Sequence, residues 1–254
     1  MKIKKYTKLR DNRYKIYLDE EEIVLYDDVI LEFGLLSKKE IDKNLFEEMN
    51  KKNDELKNYY LAVKYINRRL RSEKEIREYL HKYVSDDKLI DRIVNKLYKN
   101  NLLNDELFTR AFVLDAINLG NDGRKRIEKK LYDHGIKREY IENELDNISD
   151  DIFREKADKY IARKIKYNHN SSKYQLINKI KVDLINLGYD KEMIESLLSS
   201  YDIIDDDIQK KEYEKAKRLL SKKYTGRELE RKIKERLYRK GFRNIIIEED
   251  SYEE

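Results

Sequence analysis

The sequence predicts a mainly α-helical protein, built of tandem three-helix repeats that form an elongated curved array after a small N-terminal β-containing module. Three observations support this prediction. The 254 residues include no Pro and only 7 Gly, so long helices are seldom interrupted. Hydrophobic residues recur at helical spacing although 43% of the chain is charged, which favours folded, surface-charged helices over disorder. In addition, one helix-end pattern returns at a fixed interval.

That pattern is Ile, then Leu four residues later, then Gly four residues after the Leu, then a hydrophobe. It occurs at Ile127–Ile136, Ile180–Tyr189 and Ile233–Phe242, and its glycines at 135, 188 and 241 are 53 positions apart both times. Ile and Leu at i and i+4 face a core, and Gly takes the left-handed conformation that ends many helices. An earlier copy, Ile76–Val84, lacks the Gly. A fixed period of helix-only units indicates stacked helical repeats.

The first 26 residues differ from the rest because they alternate like β-strands. Tyr14, Ile16 and Leu18 fall on one face of a strand, and a second apolar run, Ile23–Tyr26, follows an acidic turn. Together with the opening residues they predict a small sheet of two or three strands.

Two helices are expected to complete this N-terminal module. The first lies between an N-cap at Asp27 and a stop at Gly34. The second begins with a capping box of Ser37 and Glu40 and runs to about Asn50.

From Lys57 onward, every element is predicted to be a helix. The predicted helices are 57–71, 73–83 and 86–99; 105–119, 123–134 and 138–148; 152–167, 173–187 and 190–200; and 207–223 and 226–240. The predicted domains are accordingly the module 1–56, repeats 57–105, 106–150 and 151–206, and a partial fourth repeat with an acidic tail, 207–254. The final acidic residues, 247–254, are expected to fray.

Catalytic patterns are absent from the sequence, so an enzyme is not expected. His81, His134 and His169 are isolated, and there is no phosphate-binding loop, dinucleotide fingerprint or nucleophile elbow. Acidic runs at Asp86–Asp87 and Asp205–Asp207 could hold Mg²⁺, but each precedes a helical pattern, where carboxylates stabilise the N-terminus. We therefore expect no cofactor and no metal. Because the chain has no Cys, disulfides and zinc-thiolate sites are excluded.

The opening residues have no apolar core typical of a secretory signal, and no run of about 18 apolar residues occurs. The sequence therefore predicts a cytoplasmic protein without a membrane partner. A monomer is expected.

The charge is balanced overall but unevenly distributed. Lys and Arg number 57 against 52 Asp and Glu, giving a net charge of +5. The excess lies in residues 57–105 and 207–254, and the stretch Lys210–Arg243 alone holds 15 basic and five acidic residues. Lys alternates with Glu in Lys210–Lys223, which is typical of a solvated helix face.

Two clusters of basic residues, each at a predicted helix junction, favour a binding surface. The first basic corner consists of Arg68, Arg69, Arg71, Lys74 and Arg77. The second basic corner consists of Arg124, Lys125, Arg126, Lys129 and Lys130. Arg matches the geometry of phosphate and carboxylate groups, although such charges can also simply solvate helices. Equivalent corners in adjacent repeats would line one side of the array, as a binder of a long anionic surface requires.

Three ordered motifs resemble the RecX family. "LAVKYINRRLRSEKEIREYL" (Leu61–Leu80) is similar to the Arg-rich signature of that family's first repeat, and "LLNDELFTRAFV" (Leu102–Val113) to the stretch that opens its second. "GRKRIEKKLYDHGI" (Gly123–Ile136) resembles the pattern that follows. The whole chain is similar to the longer members found in low-G/C Gram-positive bacteria. It departs from the family in lacking a Gly near Val84 and in a longer third-repeat connection.

The resemblance implies a regulator of the RecA recombinase, acting in DNA repair, homologous recombination and the SOS response. Such proteins bind RecA and its filament on single-stranded DNA. They limit filament growth or promote disassembly, and thereby inhibit recombinase, ATPase and co-protease activity. Some members also bind DNA directly, and single-stranded DNA is expected to be a weaker partner here. No catalytic residues are implied.

Under this hypothesis both basic corners face RecA acidic side chains, DNA phosphates or both. Phe108, Leu107, Ala111 and Phe112 would build the core of the second repeat. The alternatives are a helical-repeat protein that binds DNA without RecA, an interaction scaffold that binds neither, and a metal-dependent nuclease.

Overall fold

The computed structural model describes residues 1–19, 21–243 and 245, and within them a three-stranded sheet is followed by helices. The strands are β1 (Ile3–Lys8), β2 (Arg13–Leu18) and β3 (Glu22–Tyr26). The helices are α1 (Asp27–Glu32), α2 (Lys43–Ile66), α3 (Glu73–Leu80), α4 (Asp87–Lys99), α5 (Asp105–Asn118), α6 (Arg124–Asp133), α7 (Arg138–Asp146), α8 (Asp150–Lys166), α9 (Lys173–Asn186), α10 (Lys191–Ser199), α11 (Asp206–Leu220) and α12 (Gly226–Arg239). The mainly helical fold with a small N-terminal sheet is thus confirmed.

The sheet is antiparallel with the strand order β1-β2-β3. Asp11 and Asn12 both have positive φ, of 58° and 56°, as the tight turn between β1 and β2 requires. Strand β2 turns Ile16 and Leu18 inward, which is the alternation that its sequence predicts. These side chains share a core with Met49 of α2.

The capping box predicted at Ser37 and Glu40 is wrong. Ser37 instead ends a short 3-10 helix, Leu35–Ser37, and residues 38–41 are held by the start of the chain. The Ile3 amide donates to the Lys39 carbonyl at 2.9 Å, and the Ile41 amide donates to the Met1 carbonyl at 2.8 Å. These bonds keep the segment extended, so α2 begins at Lys43, where the Asp42 carboxylate accepts from the Leu45 amide at 2.8 Å.

Helix α2 runs without a break for 24 residues. It replaces the separate helices predicted to end at Asn50 and to start at Lys57, and the predicted module boundary between residues 56 and 57 falls inside it. Leu56 packs into the core of the sheet, whereas Tyr59 and Ala62 pack with α3 and α4. One helix therefore serves two cores.

The later helices follow the predicted spans to within a few residues. Asp86 accepts from the Lys88 amide at 3.0 Å, so the helix-start interpretation of that residue is confirmed. Ser149 and Ser172 cap α8 and α9 through their hydroxyls. The acidic end, 247–254, lies outside the described residues.

The chain divides into two compact units. The first contains Met1–Arg110 and His134–Tyr140. The second contains Ala111–Asp133 and the chain from Ile141 onward.

The three equally spaced glycines connect successive repeats. Gly135, Gly188 and Gly241 all have left-handed backbones, with φ of 76°, 86° and 85°. A Cβ at each would lie within 3.0 Å of the start of the middle helix of the preceding repeat, at Lys74, Arg126 and Ser172 respectively. The period of 53 residues therefore reflects a backbone-to-helix contact that leaves no room for a side chain.

The residues predicted for the core of the second repeat divide into two groups. Phe108 is 4% exposed and packs edge-on against His134, with ring centroids 5.3 Å apart. Leu107 is 55% exposed, so its assignment to the core is wrong. Adjacent residues of a helix point about 100° apart, so Leu107 faces away from the direction in which Phe108 is buried. The Leu107 amide donates to the Asn104 side chain in an exposed hydrogen bond at the start of α5. Ala111 and Phe112 are half-buried.

Candidate partner-binding surface

The first basic corner lies between the end of α2 and the first turns of α3. Ser72 begins α3 with a complete capping box, in which its hydroxyl accepts from the Glu75 amide and the Glu75 carboxylate accepts from the Ser72 amide. The same carboxylate accepts from Arg69 at 2.6 Å and from Arg71 at 3.0 Å. One acidic residue thus caps the helix and pairs with two of the five basic side chains.

Arg71 is mainly a structural residue. Its side chain is only 11% exposed, and its guanidinium lies 3.7 Å from the centroid of the Tyr65 ring. Tyr65 stacks in turn on Tyr79, with centroids 4.1 Å apart. Arg71 therefore fills the space between helices, and little of its charge faces solvent.

Arg77 is held by two carboxylates. It donates to Glu73 and to Asp91, at 2.7 Å each. Partial burial lowers the pKa of Arg77, but the hydrogen bonds to Asp91 and Glu73 outweigh burial and raise that pKa overall. Arg77 therefore stays protonated, and the two carboxylates beside it offset its charge.

The acidic partners of Arg77 belong to a half-buried network. The Tyr98 hydroxyl donates to Glu73 at 2.8 Å, and the Glu73 amide donates to the Asp105 carboxylate at 2.9 Å. Burial raises the pKa of Asp105, and burial together with the bond to Glu73 raises the pKa of Tyr98. This network fixes the first turn of α3.

The last two members of the first basic corner differ in their surroundings. Lys74 is 49% exposed and lies 4.0 Å from Glu78. Arg68 is exposed and forms no hydrogen bond or ion pair with any residue that the structure describes. Its charge is the most accessible in this cluster.

The second basic corner lies at the start of α6 and is also extensively paired. Arg124 donates to the Leu145 carbonyl at 2.9 Å and to Asp146, and Lys125 pairs with Asp190. The hydrogen bond to Asp190 raises the pKa of Lys125. These bonds hold α6 against α7 and against the turn that precedes α10.

Two of the three remaining members of the second basic corner pair with one carboxylate. Arg126 lies 3.3 Å from Asp122 and also donates to the Asn186 carbonyl at 3.1 Å. Lys130 pairs with the other oxygen of Asp122. Lys129 is exposed, and within the described part of the chain it has no hydrogen-bond or ion-pair partner.

Sequence reasoning missed a third basic region, on α12. A cleft there is lined by basic side chains and two tyrosines, whereas the sequence of Lys210–Arg243 indicated only an excess of basic residues. The signal was the spacing of residues 232, 236 and 239, which places three basic side chains on one helix face.

Other kinds of site find no support in the described part of the chain. No group of three or more His, Cys, Asp or Glu residues there could hold a metal ion. No helix among these residues is long and apolar enough to cross a membrane.

The fold and its basic corners define a class of proteins, helical repeats that carry clusters of basic side chains at their helix starts. Comparison with known proteins identifies the family, although no family model matches the chain. The sequence is 32% identical over 236 residues to the regulatory protein RecX of Listeria monocytogenes serotype 4a, covering 91% of this chain and 87% of the relative. It is 32% identical over 232 residues to the Lactococcus lactis protein of the same name, covering 88% and 86%. The chain belongs to the RecX family.

Two solved structures are similar to this chain. A crystal structure of regulatory protein RecX aligns with a TM-score of 0.67 over 79% of this chain and all of that one, and its 22% identity supports the fold alone. The crystal structure of RecX from Lactobacillus salivarius aligns with a TM-score of 0.53 at 28% identity, over 59% of this chain and 98% of that one.

Proposed function

We propose that this protein binds RecA and the RecA filament on single-stranded DNA in the cytoplasm, as a monomer without a cofactor. Binding limits filament growth or promotes disassembly, and so inhibits the recombinase, ATPase and co-protease activities of RecA. The observation that carries the proposal is the similarity to regulatory RecX proteins over about nine-tenths of the chain. Regulation, rather than catalysis, is what those relatives are named for.

The proposed contact surface consists of the two basic corners, each on its own compact unit. Its members are Arg68, Arg69, Arg71, Lys74, Arg77, Arg124, Lys125, Arg126, Lys129 and Lys130. Because most of these cations are already paired, they mainly fix the shape of the helix starts. Arg68 and Lys129 have no such internal bond and can form new pairs with acidic side chains or phosphates without breaking any. They are the members of this surface that we assign to partner contact.

A RecA ATPase assay on single-stranded DNA tests the proposal. The wild-type protein should inhibit ATP hydrolysis, and Arg68→Glu combined with Lys129→Glu should raise the concentration needed by about fivefold, because two exposed charges contribute about 1 kcal/mol. The matched control is Lys51→Glu combined with Lys191→Glu, which reverses two exposed lysines outside both corners. No inhibition by the wild-type protein would refute the function, and equal potency of the two variants would refute the surface.

The alternative is a DNA-binding helical protein that acts without RecA, and the basic cleft on α12 favours it. The discriminating measurement compares affinity for RecA filaments with affinity for bare single-stranded DNA over a range of salt. RecA regulation requires much tighter binding to filaments. Equal affinities with a steep salt dependence would favour the alternative.

A further inference from the structure

One cleft in the second unit lies along α12 and is strongly basic. Its volume is about 1010 Å³. The basic side chains that line it are Lys232, Lys234, Arg236, Arg239 and Arg243, and Glu235 is the one carboxylate among the lining residues that the structure describes. Glu235 forms an ion pair with Lys232 at 3.0 Å. Within the described residues, the lining of the cleft therefore carries a large excess of positive charge.

Three cations of the cleft lie in a row because of helix geometry. Residues 232, 236 and 239 are spaced by four and three positions, which brings them to the same face of α12. After the helix ends, Gly241 takes a left-handed backbone with φ of 85°, and Phe242 is buried at 1% exposure. This anchored reversal brings Arg243 into the lining of the same cleft.

Two aromatic rings lie beside Arg243. The Arg243 guanidinium lies 4.1 Å from the centroid of Tyr238 and 4.8 Å from that of Tyr174. Tyr238 is 59% exposed and Tyr174 is 50% exposed, so both rings keep surface open to a ligand. Cations that follow a strand, beside rings that stack on unpaired bases, are the features of non-specific single-strand binding sites.

The cleft differs from the basic corners in the state of its charges. In the corners, carboxylates such as Glu75 and Asp122 already bind most of the cations. In the cleft, Lys234, Arg236 and Arg243 form no ion pair with any residue described by the structure. A polyanion can therefore bind them without displacing an internal partner.

We propose that this cleft binds single-stranded nucleic acid, with Lys234, Arg236 and Arg243 on the phosphates and Tyr238 and Tyr174 on the bases. A duplex offers the same phosphates but keeps its bases stacked, so it cannot use the exposed rings. Binding of a strand by the cleft does not depend on RecA. The role of the cleft within a RecA filament rests on the proposed function.

Fluorescence anisotropy with a labelled oligothymidylate of about 30 nucleotides, in the absence of RecA, tests the cleft. Lys234→Gln combined with Arg236→Gln should weaken binding about tenfold at low salt. It should also reduce the slope of log affinity against log salt by about 1.4, because each single-strand phosphate contact contributes about 0.7. The matched control, Arg218→Gln combined with Arg227→Gln, removes two exposed charges of the same repeat outside the cleft and should change affinity less than twofold.

Stacking is tested separately at Tyr238. Tyr238→Ala should weaken oligothymidylate binding about tenfold, whereas Tyr238→Phe, which keeps the ring, should bind like the wild type. Circular dichroism and urea unfolding identify any variant that fails to fold. Tyr238→Phe and the Gln variants nearly preserve helix propensity, so at least these report on the cleft.

Three results would overturn the proposal. The first is a loss of oligothymidylate affinity that is equal in the cleft and control variants. The second is binding of a duplex of the same length as tightly as the oligothymidylate. The third is competition by polyglutamate as effective as that by unlabelled oligothymidylate, which would indicate a site for acidic protein segments. Because RecA is absent from the assay, failure here leaves the RecA hypothesis untouched, and absence of RecA inhibition leaves the cleft untouched.

Discussion

Glu75 stabilises the first basic corner at the scale of a single residue. Its carboxylate accepts from the guanidinium groups of Arg69 and Arg71 and from the amide of Ser72, while its own amide donates to the Ser72 hydroxyl. Both Glu75 and Arg71 are largely buried, at 14% and 11% exposure. Burial makes each group dependent on the other, because an unpaired charge in this position loses solvation without compensation.

Replacing Glu75 with Ala should therefore lower the free energy of unfolding by roughly 2 to 3 kcal/mol, from loss of the cap and from the unpaired Arg71. Urea unfolding followed by circular dichroism measures the change. Glu78→Ala is the control, because Glu78 is 64% exposed and its ion pair with Lys74 is long, at 4.0 Å. This substitution should lower the free energy of unfolding by less than about 0.5 kcal/mol. Similar losses in the two variants would show that Glu75 has no special structural role.

The same residues show what sequence could predict about the candidate surface. A capping box such as Ser72–Glu75 is readable from spacing alone, because both partners lie within one helical turn. Spacing could not show that Arg124 pairs with Asp146 and Lys125 with Asp190, because these partners are 22 and 65 positions away. A cluster of basic residues in sequence therefore overestimates the free charge that the folded chain presents.

At the scale of elements, the repeat is defined by the contact between a glycine and the start of a neighbouring helix. Gly188 has φ of 86°, and the Gly123 amide donates to the adjacent Leu187 carbonyl at 2.7 Å. A Cβ on Gly188 would overlap the amide nitrogen and Cβ of Arg126. The backbone of one repeat thus lies directly on the first turn of α6, and the contact depends on Gly for both conformation and space.

Gly188→Ala should lower the free energy of unfolding by about 3 kcal/mol, as left-handed strain adds to overpacking. Gly226→Ala is a matched control, because Gly226 also has a positive φ, of 52°, but a Cβ there would meet no atom within 4 Å. It should cost only the conformational part, about 1 kcal/mol. Thermal or urea unfolding measures both variants, and equal losses would mean that the close approach to α6 contributes nothing.

Element boundaries were predictable where local signals decide them and not where distant pairing does. The glycine period, the helical spacing of apolar residues and the acidic helix starts placed α3 to α12 within a few residues. The start of α2 was missed because residues 38–41 are drawn into an extended conformation by hydrogen bonds to Met1 and Ile3. A capping-box pattern cannot show that a segment almost 40 residues away competes for the same backbone groups.

At the scale of the whole molecule, the protein presents two kinds of basic surface with different proposed partners. Arg68 and Lys129 stand out at corners where neighbouring cations are paired, and we assign them to the RecA filament. The cleft on α12 combines unpaired cations with exposed rings, and we assign it to single-stranded nucleic acid. Substitutions in one surface should therefore abolish its binding activity without affecting that of the other.

The two double variants should therefore give opposite results in two assays. Arg68→Glu with Lys129→Glu should reduce potency against the RecA ATPase about fivefold and change affinity for oligothymidylate less than twofold, because its charges lie outside the cleft. Lys234→Gln with Arg236→Gln should weaken oligothymidylate binding about tenfold. It should also reduce the slope of log affinity against log salt by about 1.4. If it also lost ATPase inhibition in proportion, bare-strand binding would itself be the inhibitory mechanism, and the assignment of the corners to RecA would be wrong. Retention of inhibition would place recognition of the filament on protein contacts, with the cleft contributing affinity for the strand that the filament encloses.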